Sequence, residues 1–122
     1  WGEMVNRREH NFIAFHRAVL KNPDLIPLSV GHMDTVSNFA MPVVLKNRAA
    51  FIKYRARFEN AGVEIRPIIA GDITRHPFYA GHAASAPACE NAFYIHRYGF
   101  YFPNNPELTE KEVSLLSSLL AP

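Results

Sequence analysis

Residues 47–69, NRAAFIKYRARFENAGVEIRPII, read as a helix that stops and turns into a strand. Asn47 suits the N-cap position, where a short side-chain oxygen accepts a first-turn amide that has no other partner. Phe51, Ile52, Tyr54 and Phe58 then fall on one broad face at helical spacing. Gly62 supplies the left-handed residue that closes many helices. Residues 63–69 follow as a β-rich run, in which Pro67 lacks an N–H and argues against a fully paired central strand. A helix passing through a short glycine link into a strand is a packing unit of mixed α and β layers.

Working outward, residues 3–21 place Val5, Phe12, Ile13, Phe15, His16, Val19 and Leu20 at spacings of three, four and seven, the pattern of an amphipathic helix. Pro23 and Pro27 stop it, and residues 22–37 read as loop. In residues 39–45, Phe39, Met41, Val43 and Leu45 alternate with Ala40, Pro42 and Val44, a strand period, and Pro42 consigns that strand to an edge. Residues 71–77 and 80–87 read as loops. A third helix is expected from about Pro87 to His96, closed by Gly99 and followed by a short strand at 100–102. The last helix carries the clearest local signal: Thr109 and Glu112 form a capping box, Leu108 and Val113 a hydrophobic staple, and Leu116, Leu119 and Leu120 extend its buried face. The expected fold class is α+β, a small antiparallel or mixed sheet with helices on one face. The other face, and the first helix, are left for a partner.

At 122 residues, 48% hydrophobic and 12% aromatic, the chain is long and apolar enough for one folded domain with a core. Thirteen basic and eleven acidic residues leave a net charge of +2, with the basic residues scattered, so no electrostatic footprint for nucleic acid or an anionic membrane is expected. No apolar run approaches the roughly 20 residues of a membrane span. The single cysteine, Cys89, excludes an intrachain disulfide and fits a reducing, cytoplasmic compartment. Its small-residue surroundings suggest a buried side chain rather than a nucleophile. The chain opens at Trp1 on a helix-like pattern without an initiator methionine, and is expected to be cut from a longer protein.

Six histidines raise the question of a metal. His10 and His16 lie about 240° apart around a helix, and His76 and His82 have no carboxylate between them, so no compact ligand set forms and no metal is expected. Neither a nucleophile elbow nor a glycine-rich phosphate loop can be written onto the chain. What remains is Arg66-Pro67-Ile68-Ile69-Ala70-Gly71-Asp72-Ile73-Thr74-Arg75-His76-Pro77. Two arginines bracket a glycine bend, and forked guanidinium donors match phosphate or carboxylate while glycine admits close backbone approach. The same residues also read as a strand-end arginine paired to an acidic neighbour plus a turn arginine in solvent. His96 and Arg97 form a second polar cluster, which the dipole at a helix C-terminus equally accounts for.

The run GVEIRPIIAGDITRHPFY, residues 62–79, resembles a segment of the DegT/StrS-type nucleotide-sugar aminotransferases, nearest their 3-dehydratase branch in lipopolysaccharide deoxysugar biosynthesis. The shared string falls on Arg66, Ala70, Gly71, Thr74, Arg75 and Pro77; Asp72 and His76 stand where that branch carries Asn and Gln. Arg7 and Arg8 in the first helix, the strand near residues 38–45, and ENAFYIHRYGFYFPNNPELTEKEV, residues 90–113, agree in order and spacing, so the likeness covers roughly residues 5–120.

The resemblance implies the small C-terminal domain of a fold type I pyridoxal-phosphate enzyme, a homodimer acting on a nucleotide-linked 4-keto-6-deoxy sugar by 3-dehydration or transamination. Residues 1–21 would lead from a large preceding domain that holds pyridoxal phosphate or pyridoxamine phosphate, and residues 22–122 would form the small domain. No catalytic residue is expected here, because Lys21, Lys46, Lys53 and Lys111 lie outside the family's lysine motif. Arg66, Gly71, Thr74, Arg75 and His76 are the implied substrate-binding residues, with Asp72, His96 and Arg97 beside them. Two alternatives differ in class: a non-catalytic α+β anion- or ligand-binding module, and a structural interaction domain suggested by the apolar first helix.

Overall fold

A computed structural model describes residues 1–69, 71–79, 81 and 89–122. Helix α1 (Gly2–Leu20) is followed by strand β1 (Ala40–Val44), helix α2 (Arg48–Asn60), strand β2 (Arg66–Pro67), two 3-10 turns (Ile73–Arg75 and Pro77–Tyr79), helix α3 (Glu90–Tyr98), strand β3 (Gly99–Pro103) and helix α4 (Glu110–Leu119). The three strands form one antiparallel sheet in the order β1-β3-β2. Met41 lies opposite Phe102 and Val43 opposite Phe100, while Arg66 pairs with Tyr101 and Pro67 with Phe100 on the other side of β3. Pro42 and Pro67 therefore both lie on edge strands, where a missing N–H costs no ladder bond.

One face of the sheet carries the core. Met41, Val43, Phe100 and Phe102 are buried there beneath Phe12, Phe15 and Val19 of α1, Tyr54 and Phe58 of α2, and Val113 and Leu116 of α4. Phe102 is the hub, with its ring centroid 5.1 Å from Phe15 and 5.2 Å from Phe58, and Phe58 lies 5.3 Å from Phe100. Such offset and edge-on pairs add about 0.5–1.5 kcal/mol each beyond their burial. Helix α1 belongs to this core and packs along α4. Its Arg7 Nε and Nη2 donate to the carbonyls of Pro106 and Leu108 at 3.2 Å, and Asn11 Nδ2 donates to that of Asn105 at 3.1 Å. On the opposite face, Phe39 and Tyr101 pack edge-on at 6.4 Å, with Phe39 largely exposed.

The helix ends follow from the sequence. The Asn47 side chain accepts from Ala50 N at 2.9 Å. At the other end of α2, Gly62 takes φ +73°, Val63 N bonds Phe58 O at 3.1 Å and Gly62 N bonds Glu59 O at 3.0 Å, a Schellman closure. Thr109 and Glu112 cap α4 reciprocally. Buried Asn22 ties the far end of α4 down, its Nδ2 donating to Tyr54 Oη and to Leu120 O at 2.6 Å.

Several expectations are corrected. The strand expected over residues 63–69 is two residues long, because β3 offers a partner only at Arg66 and Pro67. Ile52 points to solvent, and Ala50 takes its place in the core beside Tyr54 and Phe58. Ile13, Leu20 and Phe39 are exposed as well, whereas Asn11 is buried because its amide has a carbonyl to bind. Helix α3 begins at Glu90, later than expected, and Pro87 lies outside the described residues. Gly99 does close α3 as its C-cap, in an extended conformation at φ −112° that also makes it the first residue of β3, and its missing side chain leaves room for Ile95 O and Ile68. Cys89 is exposed, standing at the N-cap of α3 outside the core. The loop expected over residues 80–87 lies, apart from Gly81, outside the described residues.

Candidate functional site

The segment 71–79 leaves the sheet and lies against α3 at Gly71 and at Arg75. Gly71, at φ +53°, runs so close to His96 that a Cβ at position 71 would overlap the imidazole at Nδ1. Glycine is needed there twice over, for the left-handed backbone and for the approach. The Arg75 guanidinium sits 3.9 Å from the ring centroid of Phe93. On the same ring, Arg97 lies at 5.3 Å, so Phe93 serves two cations.

Between these contacts the turn is built on Asp72. Its Oδ1 accepts from the Thr74 backbone amide at 3.1 Å and from the Thr74 hydroxyl at 2.6 Å, and its Oδ2 lies 3.3 Å from Arg75 Nε. The carboxylate is 4% exposed. The Thr74 hydroxyl, and then its amide and Arg75, favour the charged form by more than burial disfavours it, so the pKa of Asp72 falls below the usual carboxylate range. The buried charge is thus paired and hydrogen-bonded, and Arg75 is held in one orientation while 63% of its side chain faces solvent.

The remaining candidate residues are placed as follows. Arg66, on β2, bonds Glu64 at 2.8 Å through Nε and 2.6 Å through Nη2, and both side chains are exposed. The Glu64 carboxylate raises the Arg66 pKa still further, which keeps the guanidinium charged. No hydrogen bond or ion pair joins Arg66 to Arg75 among the described residues; His96, which packs on Gly71, lines one groove with Arg66, Pro67, Gly99 and Phe100. His76 stacks obliquely on Phe78 at 5.6 Å. Ile69, Ile73 and Phe78 are exposed along the same segment, an apolar edge beside the charged groups. Arg97, in the last turn of α3, reaches both Phe93 and Tyr98.

The arrangement can bind and orient an anion through the exposed guanidinium groups of Arg75 and Arg66. All four lysines are exposed, and Lys53 is occupied by Asp24 at 3.3 Å. Among the described residues no three His, Cys, Asp or Glu side chains come together as a metal site. Phe93 is the site residue that reading the sequence missed. Its pairing with Arg97 follows from their i, i+4 spacing on α3, whereas its pairing with Arg75 depends on the return of the segment across the helix and has no local signal.

No protein-family model and no curated protein sequence matches the chain. Its fold does match solved structures. Escherichia coli GDP-4-keto-6-deoxy-D-mannose-3-dehydratase with bound hydrated PLP superposes over 98% of this chain with a TM-score of 0.79 at 19% identity. Helicobacter pylori PseC, an aminotransferase of pseudoaminic acid biosynthesis, gives 95%, 0.73 and 18%. A sugar aminotransferase from Micromonospora echinospora gives 95%, 0.71 and 15%. The chain spans 31%, 31% and 30% of those chains. At these identities the likeness is one of fold: the chain has the α+β architecture of a part of these enzymes.

Proposed function

We propose that this chain is the small C-terminal domain of an enzyme dependent on pyridoxal phosphate or pyridoxamine phosphate that acts on a nucleotide-linked 4-keto-6-deoxy sugar, by 3-dehydration or transamination, in lipopolysaccharide or O-antigen sugar biosynthesis. The observation that carries the reading is the superposition of 98% of the chain on under a third of a sugar 3-dehydratase, together with the Arg66-to-Pro77 string fixed on α3 through Gly71 and Arg75. In this reading residues 1–21 lead from a larger domain, residues 22–122 form the small one, and the complete enzyme is a cytoplasmic homodimer.

Lys21, Lys46, Lys53 and Lys111 are exposed, and none of them falls within the 71–79 segment. The cofactor, which supplies an electron sink for bond cleavage next to a carbonyl carbon, is assigned to the larger domain. The role left to this chain is orientation. Arg75, held by Asp72 and Phe93, offers a fixed guanidinium to the sugar or its diphosphate. Thr74 and His76 flank it, Gly71 brings the backbone close, and Arg66 reaches the same side across His96. The exposed Ile69, Ile73 and Phe78 would meet the larger domain when the segment lies over the bound substrate.

The test is the visible absorbance of the complete protein and of residues 1–122 alone, each mixed with pyridoxal phosphate and with pyridoxamine phosphate. A cofactor band in the complete protein and none in residues 1–122 is expected. No band in either sample overturns the enzyme reading and leaves a non-catalytic anion-binding module.

A further inference from the structure

Most of the positive charge around the 71–79 segment is already matched by acid. Arg75 lies 3.3 Å from Asp72, Arg66 is bonded by Glu64 at 2.6 Å, and Arg55, which shares a groove with His96 and Arg66, is held by Glu59 at 2.8 Å. Arg97, next to His96 on α3, has no carboxylate partner among the described residues, and residues 70, 80 and 82–88 contain no Asp or Glu that could supply one. Paired guanidinium groups attract an incoming anion less than free ones, because each carries its own counter-charge.

His96 stands where these groups meet. The imidazole abuts the backbone of Gly71, at the start of the segment that carries Arg75, and it also lines the groove with Arg66, Gly99 and Phe100. The charged groups facing it are Asp72 and Arg75 from the segment, Arg66 and Glu64 from the β2 side, Arg55 and Glu59 from α2, and Arg97 on its own helix; β3 contributes no charge there. Four guanidinium groups against three carboxylates leave a net charge of +1 with the imidazole neutral and +2 with it protonated. Among the described residues no carboxylate lies within ion-pair distance of His96, so that added charge is not cancelled. Histidine is also the side chain whose ordinary titration falls near neutral pH.

We propose, on the reading of Arg66 and Arg75 as an anion site, that the site takes up its anion together with a proton on His96. Affinity for a doubly charged oxyanion then rises as pH falls through the imidazole's titration. By linkage a bound anion holds the proton on His96 more tightly. The acidic side of the site does not change over this range, because the Asp72 carboxyl titrates below the usual carboxylate values and stays charged.

Sulfate is the probe, since it stays a dianion at every pH used. It is titrated into the protein at about pH 5.5 and about pH 8, on either side of the imidazole's ordinary value, at an ionic strength of about 0.1 M. The His96 ring proton shifts and the amide shifts of residues 71–75 are followed. Sulfate is expected to bind about fivefold more tightly at the lower pH, the upper end for an exposed charge pair, and the His96 titration midpoint should move up when sulfate is present. His96→Gln should bind at both pH values as weakly as the wild type does at the higher one. His96→Lys, with a fixed charge, should bind at both as tightly as the wild type does at the lower one. Melting temperatures report whether either variant is folded, and the wild-type His96 midpoint with and without sulfate decides the matter if one is not. Equal sulfate affinity at the two pH values, with shifts at residues 71–75, overturns the proton coupling and leaves the anion site standing. No sulfate binding at either pH overturns the anion-site reading and the coupling with it. A pH dependence that His96→Gln retains overturns the assignment to His96 and moves it to His76, the segment's other imidazole.

Discussion

Gly71 and His96 are packed so closely that any side chain at position 71 would occupy the space of the imidazole. Gly71→Ala therefore carries two separable costs: the left-handed backbone, about 1–2 kcal/mol for a residue with a Cβ, and the overlap with the ring. The double variant Gly71→Ala, His96→Ala should recover the second and not the first. Thermal unfolding of the single and double variants checks this; equal destabilisation in both would show that His96 does not form the wall.

Phe93→Leu keeps apolar volume and removes the ring face shared by Arg75 and Arg97. The expected loss of stability is small, about 0.5–1 kcal/mol per exposed cation–π contact. The larger effect should be mobility of the 71–79 segment, read as faster amide hydrogen exchange at Thr74 and Arg75 while the exchange of β3 amides stays slow. Under the proposed function, substrate KM in the complete enzyme should rise more than kcat falls.

The Asp72 carboxylate is depressed chiefly by the Thr74 hydroxyl, so Thr74→Val should raise its pKa, measured by carboxyl NMR titration. Because the folded-state value lies below the unfolded one, this group's contribution to stability is fully present above the unfolded pKa and is lost as pH falls through the folded pKa. The wild-type chain should therefore lose the order of the 71–79 segment on acidification, and Thr74→Val should lose it at a higher pH.

Phe102→Ala removes the ring that joins α1 to α2 across the sheet and should cost about 3–5 kcal/mol, measured by denaturant unfolding. Thr109→Ala removes one half of a capping box and should cost about 1 kcal/mol. A Phe102→Ala cost no greater than that of Thr109→Ala would mean that the aromatic cluster is not the centre of the core.

Features encoded within a few residues were legible in the sequence: the Asn47 cap, the Gly62 closure, the Thr109–Glu112 box, and the edge position forced on β1 and β2 by Pro42 and Pro67. Helical burial was legible as a face but not to the residue. Ile52 and Tyr54 are equally apolar as written, and only the direction from which the sheet approaches buries one and exposes the other. The extent of β2 could not be read because it is set by how much of β3 is available to pair. In the candidate site, the Asp72–Thr74–Arg75 turn is local, whereas Phe93 and the stacking of Gly71 on His96 depend on segments about 20 residues apart meeting.

Strand β3 lies between two strands that precede it in the chain, with Ala40 paired to Pro103 and Arg66 to Tyr101. During synthesis neither β1 nor β2 has its partner strand until β3 has left the ribosome. Until then Met41, Val43 and the aromatic face of α2 are without their sheet, and a nascent chain in this state presents apolar surface to holding chaperones. Assembly then comes as one event, in which the arrival of residues 99–103 supplies the centre of the sheet and, through the direct junction of α3 with β3, brings His96 and Phe93 to the segment that packs on them.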